Sequence, residues 1–177
     1  MNNKRIQRIR LALVASVCVL ASGAYASDLG SMMDLAPSEL SGTNSSTATI
    51  SQSGQVNKAL ITQGSGANQH ARILQTSASV NSEAQILQNG SDNMAAVVQL
   101  FGADNSARIT QNGDGNLAAT GQMGFQNQIN INQNNGGNTA AAAQIGGHNQ
   151  IDITQLGNQT IAVTQIGFGG SFTVVQP

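Results

Sequence analysis

The chain has 177 residues, of which 8% are charged and 3% aromatic, with 20 glycines, two prolines and no tryptophan. A typical soluble domain carries about 25% charged residues, so this composition argues against a globular core of large side chains, and its low charge and few prolines argue equally against a disordered linker. What remains is a repetitive chain rich in hydrogen-bonding groups.

Residues 1–26 read as a secretory signal peptide. Lys4, Arg5, Arg8 and Arg10 make a basic start, Leu11 to Leu20 an apolar run, and Ala24-Tyr25-Ala26 a small-x-small signal, with the cut between Ala26 and Ser27. The apolar run is too short for a permanent anchor, so an integral membrane protein is not expected. Cys18 lies inside it behind Val17, which argues against a lipoprotein, and cleavage removes the only cysteine. The remaining chain keeps Lys58, Arg72 and Arg108 against eight acids, a net charge of −5, with no cation after Arg108. No basic stripe is left to displace counterions from phosphate, so nucleic acid is not an expected partner and an anionic membrane surface is a poor one. Residues 27–45, with "DLAPSEL" and few glycines, form a separate segment ahead of the repeats.

Glutamines then recur at near-equal intervals: Gln52, Gln63, Gln75, Gln88, Gln99, Gln111, Gln122, Gln133, Gln144, Gln155, Gln165 and Gln176. Each closes a stretch that alternates with period 2, the signature of a β-strand. In Asn57-Lys58-Ala59-Leu60-Ile61-Thr62-Gln63, one face carries Asn, Ala, Ile and Gln and the other Lys, Leu and Thr. Lys58, Arg72, Glu83, Arg108 and Asp152 all fall on the second face, which marks it as the solvent side. Most of the short connectors contain glycine, which permits sharp turns. Thr76 to Val80, longer and without glycine, predicts an irregular turn.

Pairing consecutive strands gives six repeats, 46–63, 69–88, 93–111, 116–133, 138–155 and 159–176. The prediction is an all-β fold: a β-solenoid with two strands per rung and parallel stacked rungs, an antiparallel meander being the alternative. In such a stack Gln52, Gln75, Gln99, Gln122, Gln144 and Gln165 form one amide ladder and Gln63, Gln88, Gln111, Gln133, Gln155 and Gln176 the other. Each buried amide donates to one neighbour and accepts from the other, avoiding the roughly 1–3 kcal/mol cost of an unpaired group. Asn57, Asn93, Asn105, Asn116, Asn127, Asn138 and Asn149 open the inward faces and belong to the same stacking set. A slip of one residue would break every rung together, so the ladders fix register. The end rungs expose strand edges, and the last has no charge to blunt them.

Ser46, Gln52, Gly54, Asn57, Ala59 and Gln63 fit the pattern S-x5-Q-x-G-x2-N-x-A-x3-Q, and on these residues the chain resembles the curlin family. Asn105, Ala107 and Gln111 repeat the second half. Gln122, Gly124, Asn127 and Gln133, then Gln144, Gly146, Asn149 and Gln155, follow with Ile129 and Ile151 in place of Ala. The resemblance covers about residues 46 to 176 and implies a secreted subunit of curli, the bacterial extracellular amyloid fibres of biofilms. It further implies polymerisation with itself and other curlin subunits, unfolded export through an outer-membrane pore with accessory proteins, directed by residues 27–45 as a flexible export segment, and a fibre at the cell surface. The segment from Ser27 to Ser45 looks more like the minor, nucleating subunit, although that subunit's basic final repeat is missing. Three departures stand out: Asn81 is offset by one residue, Gly170 replaces an Asn, and the third rung has an extra residue before Gly102.

No catalytic or metal-binding constellation is legible. His70 and His148 have no second ligand at a useful spacing, and Asn112 to Asn116 only faintly resembles a calcium loop, with Leu117 where glycine is required and Met123 where the closing Glu would stand. No phosphate-binding glycine motif with its Lys is present, so neither an enzyme nor a cofactor is expected. Asp92, Asp104 and Asp114 sit in connectors and read as gatekeepers that slow premature aggregation. The rival function is a capped, secreted solenoid acting as an adhesin or ice-binding module. The threonine array that ice binding needs begins at Thr47 and Thr49 but does not continue at Met94, Ala96, Leu117 and Asn130.

Overall fold

The computed structural model describes residues 45–177, so the signal peptide, the cleavage site at Ala26 and Ser27, and nearly all of the segment 27–45 lie outside the described residues. The first six strands are β1 (Thr47–Gln52), β2 (Lys58–Gln63), β3 (His70–Val80), β4 (Glu83–Asn89), β5 (Met94–Ala103) and β6 (Ser106–Asn112). The next six are β7 (Leu117–Phe125), β8 (Gln128–Asn134), β9 (Thr139–Gly147), β10 (Gln150–Gln155), β11 (Thr160–Phe168) and β12 (Ser171–Gln176). Odd strands form one six-stranded sheet in the order β1-β3-β5-β7-β9-β11, and even strands the other, β2-β4-β6-β8-β10-β12. Every pairing is parallel, so the chain is a β-solenoid of six rungs and the meander is excluded.

Alternation explains why the two sheets face each other. Ala71 and Ile73 of β3 and Ala84 and Ile86 of β4 point inward and are buried, and the same Ala–Ile pair recurs at Ala107 and Ile109. Ile129, Ile131, Ile151 and Ile153 fill both inward apolar positions of β8 and β10. Each buried Ile contributes about 1.5–3 kcal/mol, which a chain without large aromatic residues must collect rung by rung. Lys58, Arg72, Glu83 and Arg108 are exposed on the outer faces. The outermost inward residues, Ala59, Ile61, Ile161 and Val163, are only partly buried, because each has a neighbouring rung on one side alone.

Two expectations are corrected. The odd strands from β3 onward do not close at their glutamine but run on past it, to Val80, Ala103, Phe125, Gly147 and Phe168. Likewise, Thr76 to Val80 is not an irregular turn; it is the extended end of β3, with a bulge between Gln75 and Ala78 against β5. The reason is backbone accounting. Ala78 to Val80 lie over Phe101 to Ala103 of the next rung, so their peptide groups are satisfied by the ladder and need no turn of their own. The extra residue of the third rung, Leu100, is absorbed by a matching bulge between Gln99 and Phe101 against β7.

The turns are made just before the residue that opens each inward face. Asn81, Asp104, Gln126 and His148 hold φ between 48° and 57° on one arc, and Asn68, Asp92 and Asn158 hold φ between 51° and 57° on the other. Asn and Asp tolerate this left-handed conformation better than most residues, which supplies a conformational reason for Asp92 and Asp104. Glycine is required further back on the first arc. Gly124 has φ 113°, and a Cβ there would lie 1.8 Å from the carbonyl oxygen of Gly146 one rung on.

Candidate functional site

Among the described residues no group of His, Cys, Asp or Glu could hold a metal ion, and no helix is long and apolar enough to cross a membrane. The chemistry of the molecule is concentrated instead in its buried amides and in the two ends where they stop. In the even sheet Gln63 donates from Nε2 to Gln88 Oε1 at 3.0 Å, and the bond repeats from Gln88 to Gln111, Gln111 to Gln133, Gln133 to Gln155 and Gln155 to Gln176, each at 2.9 Å. In the odd sheet Gln75 donates to Gln99 at 2.7 Å, Gln99 to Gln122 at 2.8 Å, Gln122 to Gln144 at 3.2 Å and Gln144 to Gln165 at 3.1 Å.

Gln52 stands apart. β1 aligns it with Gln75, yet it is exposed and makes no bond to that amide among the described residues. Gln75 Oε1 is buried with no partner among the described residues.

The orientation of the amides is set by the second hydrogen on each nitrogen. Gln99 Nε2 also donates to Glu83 O at 3.0 Å, Gln133 Nε2 to Leu117 O at 3.0 Å, and Gln155 Nε2 to Thr139 O at 3.2 Å. Backbone carbonyls can only accept, so the nitrogen must face them and the oxygen must face the preceding rung. Both ladders are therefore polar. At the last rung, Nε2 of Gln165 and Gln176 has no acceptor among the described residues, while toward the first rung Oε1 of Gln63 and Gln75 has no donor among them. In the even column the last rung presents the Gln176 donor and the first rung the Gln63 acceptor; in the odd column the last rung presents the Gln165 donor, while the Gln75 oxygen lies buried in the second rung under β1.

The asparagines do a different job from the glutamines. They sit inside the two arcs, each accepting a backbone N–H from the equivalent position one rung on. Asn93 Oδ1 takes Asn116 N at 3.0 Å, Asn105 Oδ1 takes Asn127 N at 3.1 Å, and Asn149 Oδ1 takes Gly170 N at 3.1 Å. Their Nδ2 groups bind arc carbonyls, as in Asn127 to Gly146 O at 3.0 Å. Direct side-chain amide bonds link only Asn138 to Asn116 at 3.0 Å and Asn149 to Asn127 at 3.1 Å among these seven. Asn57 caps the first arc by accepting Ser82 N at 3.0 Å, so Ser82 occupies the place that the offset Asn81 leaves.

Sequence reasoning missed two features. Gln69 is fully buried and donates to Gly90 O at 2.6 Å, filling the arc position held elsewhere by Asn. A third amide column, Asn89 to Asn112 to Asn134 with bonds of 3.1 Å, follows directly behind Gln88, Gln111 and Gln133. The repeated Gln-Asn dipeptide was the signal that could have found it.

Asp92, Asp104 and Asp114 lie on the arcs, exposed. Asp92 Oδ1 accepts Asn68 Nδ2 at 3.0 Å, Asp104 Oδ1 accepts Asn81 Nδ2 at 2.6 Å, and Asp114 Oδ1 accepts Ser91 N at 2.7 Å. His148 is exposed, and His70 Nδ1 pairs with Thr47 Oγ1 at 2.7 Å.

No curated protein matches the chain. The model of the curlin-associated repeat matches residues 43–76, 81–111 and 102–134, within the first four rungs, and the fifth and sixth rungs continue the same register and the same ladders. Repeat and geometry agree: the chain belongs to the curlin family.

Proposed function

We propose that this chain is a secreted subunit of an extracellular curli fibre that grows by stacking the last rung of one copy on the first rung of the next. The observation that carries this reading is the complementarity of the two ends in the even column: Gln176 in the last rung offers an Nε2 donor where Gln63 in the first rung offers an Oε1 acceptor. Other features support it. Among the described residues β1, β2, β11 and β12 each pair on one side only. A Cβ on Gly167 would meet nothing within 4 Å, whereas one on Gly102, Gly124 or Gly146 would strike a carbonyl oxygen of the next rung at 1.7, 1.8 or 1.9 Å. Joining two copies would convert four strand edges into ladders of the kind that make cross-β stacks so stable. In this reading residues 1–26 direct export and are removed, residues 27–45 serve the export machinery, and the six repeats form the fibre body in the biofilm matrix. A role in starting fibres rests on the segment 27–45 alone.

Fibre diffraction on the chain from Ser27 tests the stacking. Stacked sheets should give one reflection at about 4.7 Å and another at about 10 Å after quiescent incubation. A clear solution of folded monomers would overturn the reading and favour a capped, ligand-binding solenoid. Seeding then tests the nucleating role: sub-stoichiometric amounts should shorten the lag of a second curlin subunit, and an unchanged lag would refute it.

A further inference from the structure

Three of the four phenylalanines lie on one edge of the solenoid, on the arc that leads from odd to even strands. Strand register stacks Phe101, Met123, Ile145 and Ile166 in one column and places Phe125, Gly147 and Phe168 in the next. These side chains are exposed: Phe101 55%, Phe125 59%, Ile145 45%, Ile166 74% and Phe168 81%. The Phe168 ring lies over Gly147, where a Cβ would come within 2.9 Å of it, so the ridge is continuous across the rung that lacks a side chain. The opposite arc carries the Asn89–Asn112–Asn134 column together with Asp92 and Asp114. The first edge carries the apolar ridge, beside the polar turn residues Asp104, Gln126 and His148, whereas amides and acids dominate the second, where Leu156 is the exposed apolar residue.

We propose that the apolar edge is a lateral contact by which two stacks of this chain lie side by side, the occupant being a second copy's equivalent edge. This rests on the stacking reading above. Area decides between single copies and stacks. Four rungs of about 4.8 Å and three residues of about 3.3 Å give a strip of roughly 190 Å² per copy, against about 800 Å² per partner in a stable interface. A pair of single copies does not hold. Stacking extends the strip by the same amount with every subunit, so about four copies on each side reach the required area and association rises steeply with length. A lipid surface is the poorer occupant: the described rungs that bear the ridge carry Asp104 and, beyond Arg108, no cation, and the chain has no tryptophan. The contact therefore belongs to the polymer and does not join single subunits.

The test is the fourfold variant Phe125→Thr, Ile145→Thr, Ile166→Thr and Phe168→Thr, with Leu156→Thr on the opposite arc as control. Mass per unit length of fibres is read by dark-field electron microscopy. Wild type and Leu156→Thr should give two chains per rise of about 29 Å, the height of six rungs, and the fourfold variant one, at an unchanged elongation rate. Equal mass per length in wild type and fourfold variant overturns the lateral contact. Loss of fibres only in the fourfold variant places the edge inside the stacking contact and overturns it as well. Single wild-type filaments that float with phosphatidylcholine vesicles give the edge to lipid instead. Absence of fibres from all three chains fails the stacking reading itself and takes this contact with it.

Discussion

The middle rungs and the end rungs are written in the same repeat but have different physical states. Gln88, Gln99, Gln111, Gln122 and Gln133 are buried and bonded on both sides, while Gln52 is exposed and Gln165 and Gln176 are bonded on one side. Ile109 and Ile131 are at most 1% exposed, whereas Ile61 and Val163 at the equivalent inward positions remain partly open. A curlin-type rung does not satisfy itself. It completes its core and its hydrogen bonds only between two others, so the ends of the stack are the reactive part of the molecule.

The largest expected difference is at glycine. A Cβ at Gly146 would sit 1.9 Å from Gly167 O at φ 126°, while at Gly167, φ 128°, it meets nothing within 4 Å. Gly146→Ala should therefore lower the stability of the dilute chain by about 3 kcal/mol or more, through strain and collision together, and Gly167→Ala by about 1–3 kcal/mol through strain alone. Urea midpoints measure this. Elongation from wild-type seeds should fail for both, because stacking brings a carbonyl against residue 167 too. Unimpaired elongation of Gly167→Ala would break the comparison.

Next come the amides. Gln111→Ala leaves Gln133 Oε1 without a partner and Gln88 Nε2 with only its bond to His70 O, and should cost about 2–5 kcal/mol, whereas Gln176→Ala removes one bond and should cost about 1 kcal/mol. Seeded growth should reverse the order once corrected for folded fraction, with Gln165→Ala and Gln176→Ala slower than Gln111→Ala. Identical corrected rates would show that the end amides take no part in joining copies.

The smallest effect is at the acids. Asp104→Asn and Asp92→Asn keep a residue that tolerates φ near 57°, so stability should move by no more than about 0.5 kcal/mol. The lag before polymerisation should shorten if charge is the brake. An unchanged lag would assign both residues to turn conformation alone.

Much of this was legible because period-2 alternation and evenly spaced glutamines leave few arrangements open. The alternation of Asn57 to Gln63 determined which side chains face in, and the glycine spacing determined that the chain turns between strands. The composition required that buried polar groups be paired with one another. The sequence by itself therefore set the solenoid, its inward face and its candidate amides. Only the tertiary structure decided that the odd strands run beyond their glutamines, that Thr76 to Val80 stays extended, that Ser82 replaces Asn81, and that Gln52 lies outside its ladder. Each of these depends on what the adjacent rung presents, as does the direction of the amides, which the carbonyls of the opposite strands impose. Local sequence carries the periodicity of a strand; whether a given backbone group or amide is satisfied is settled by a neighbour one full rung away along the chain.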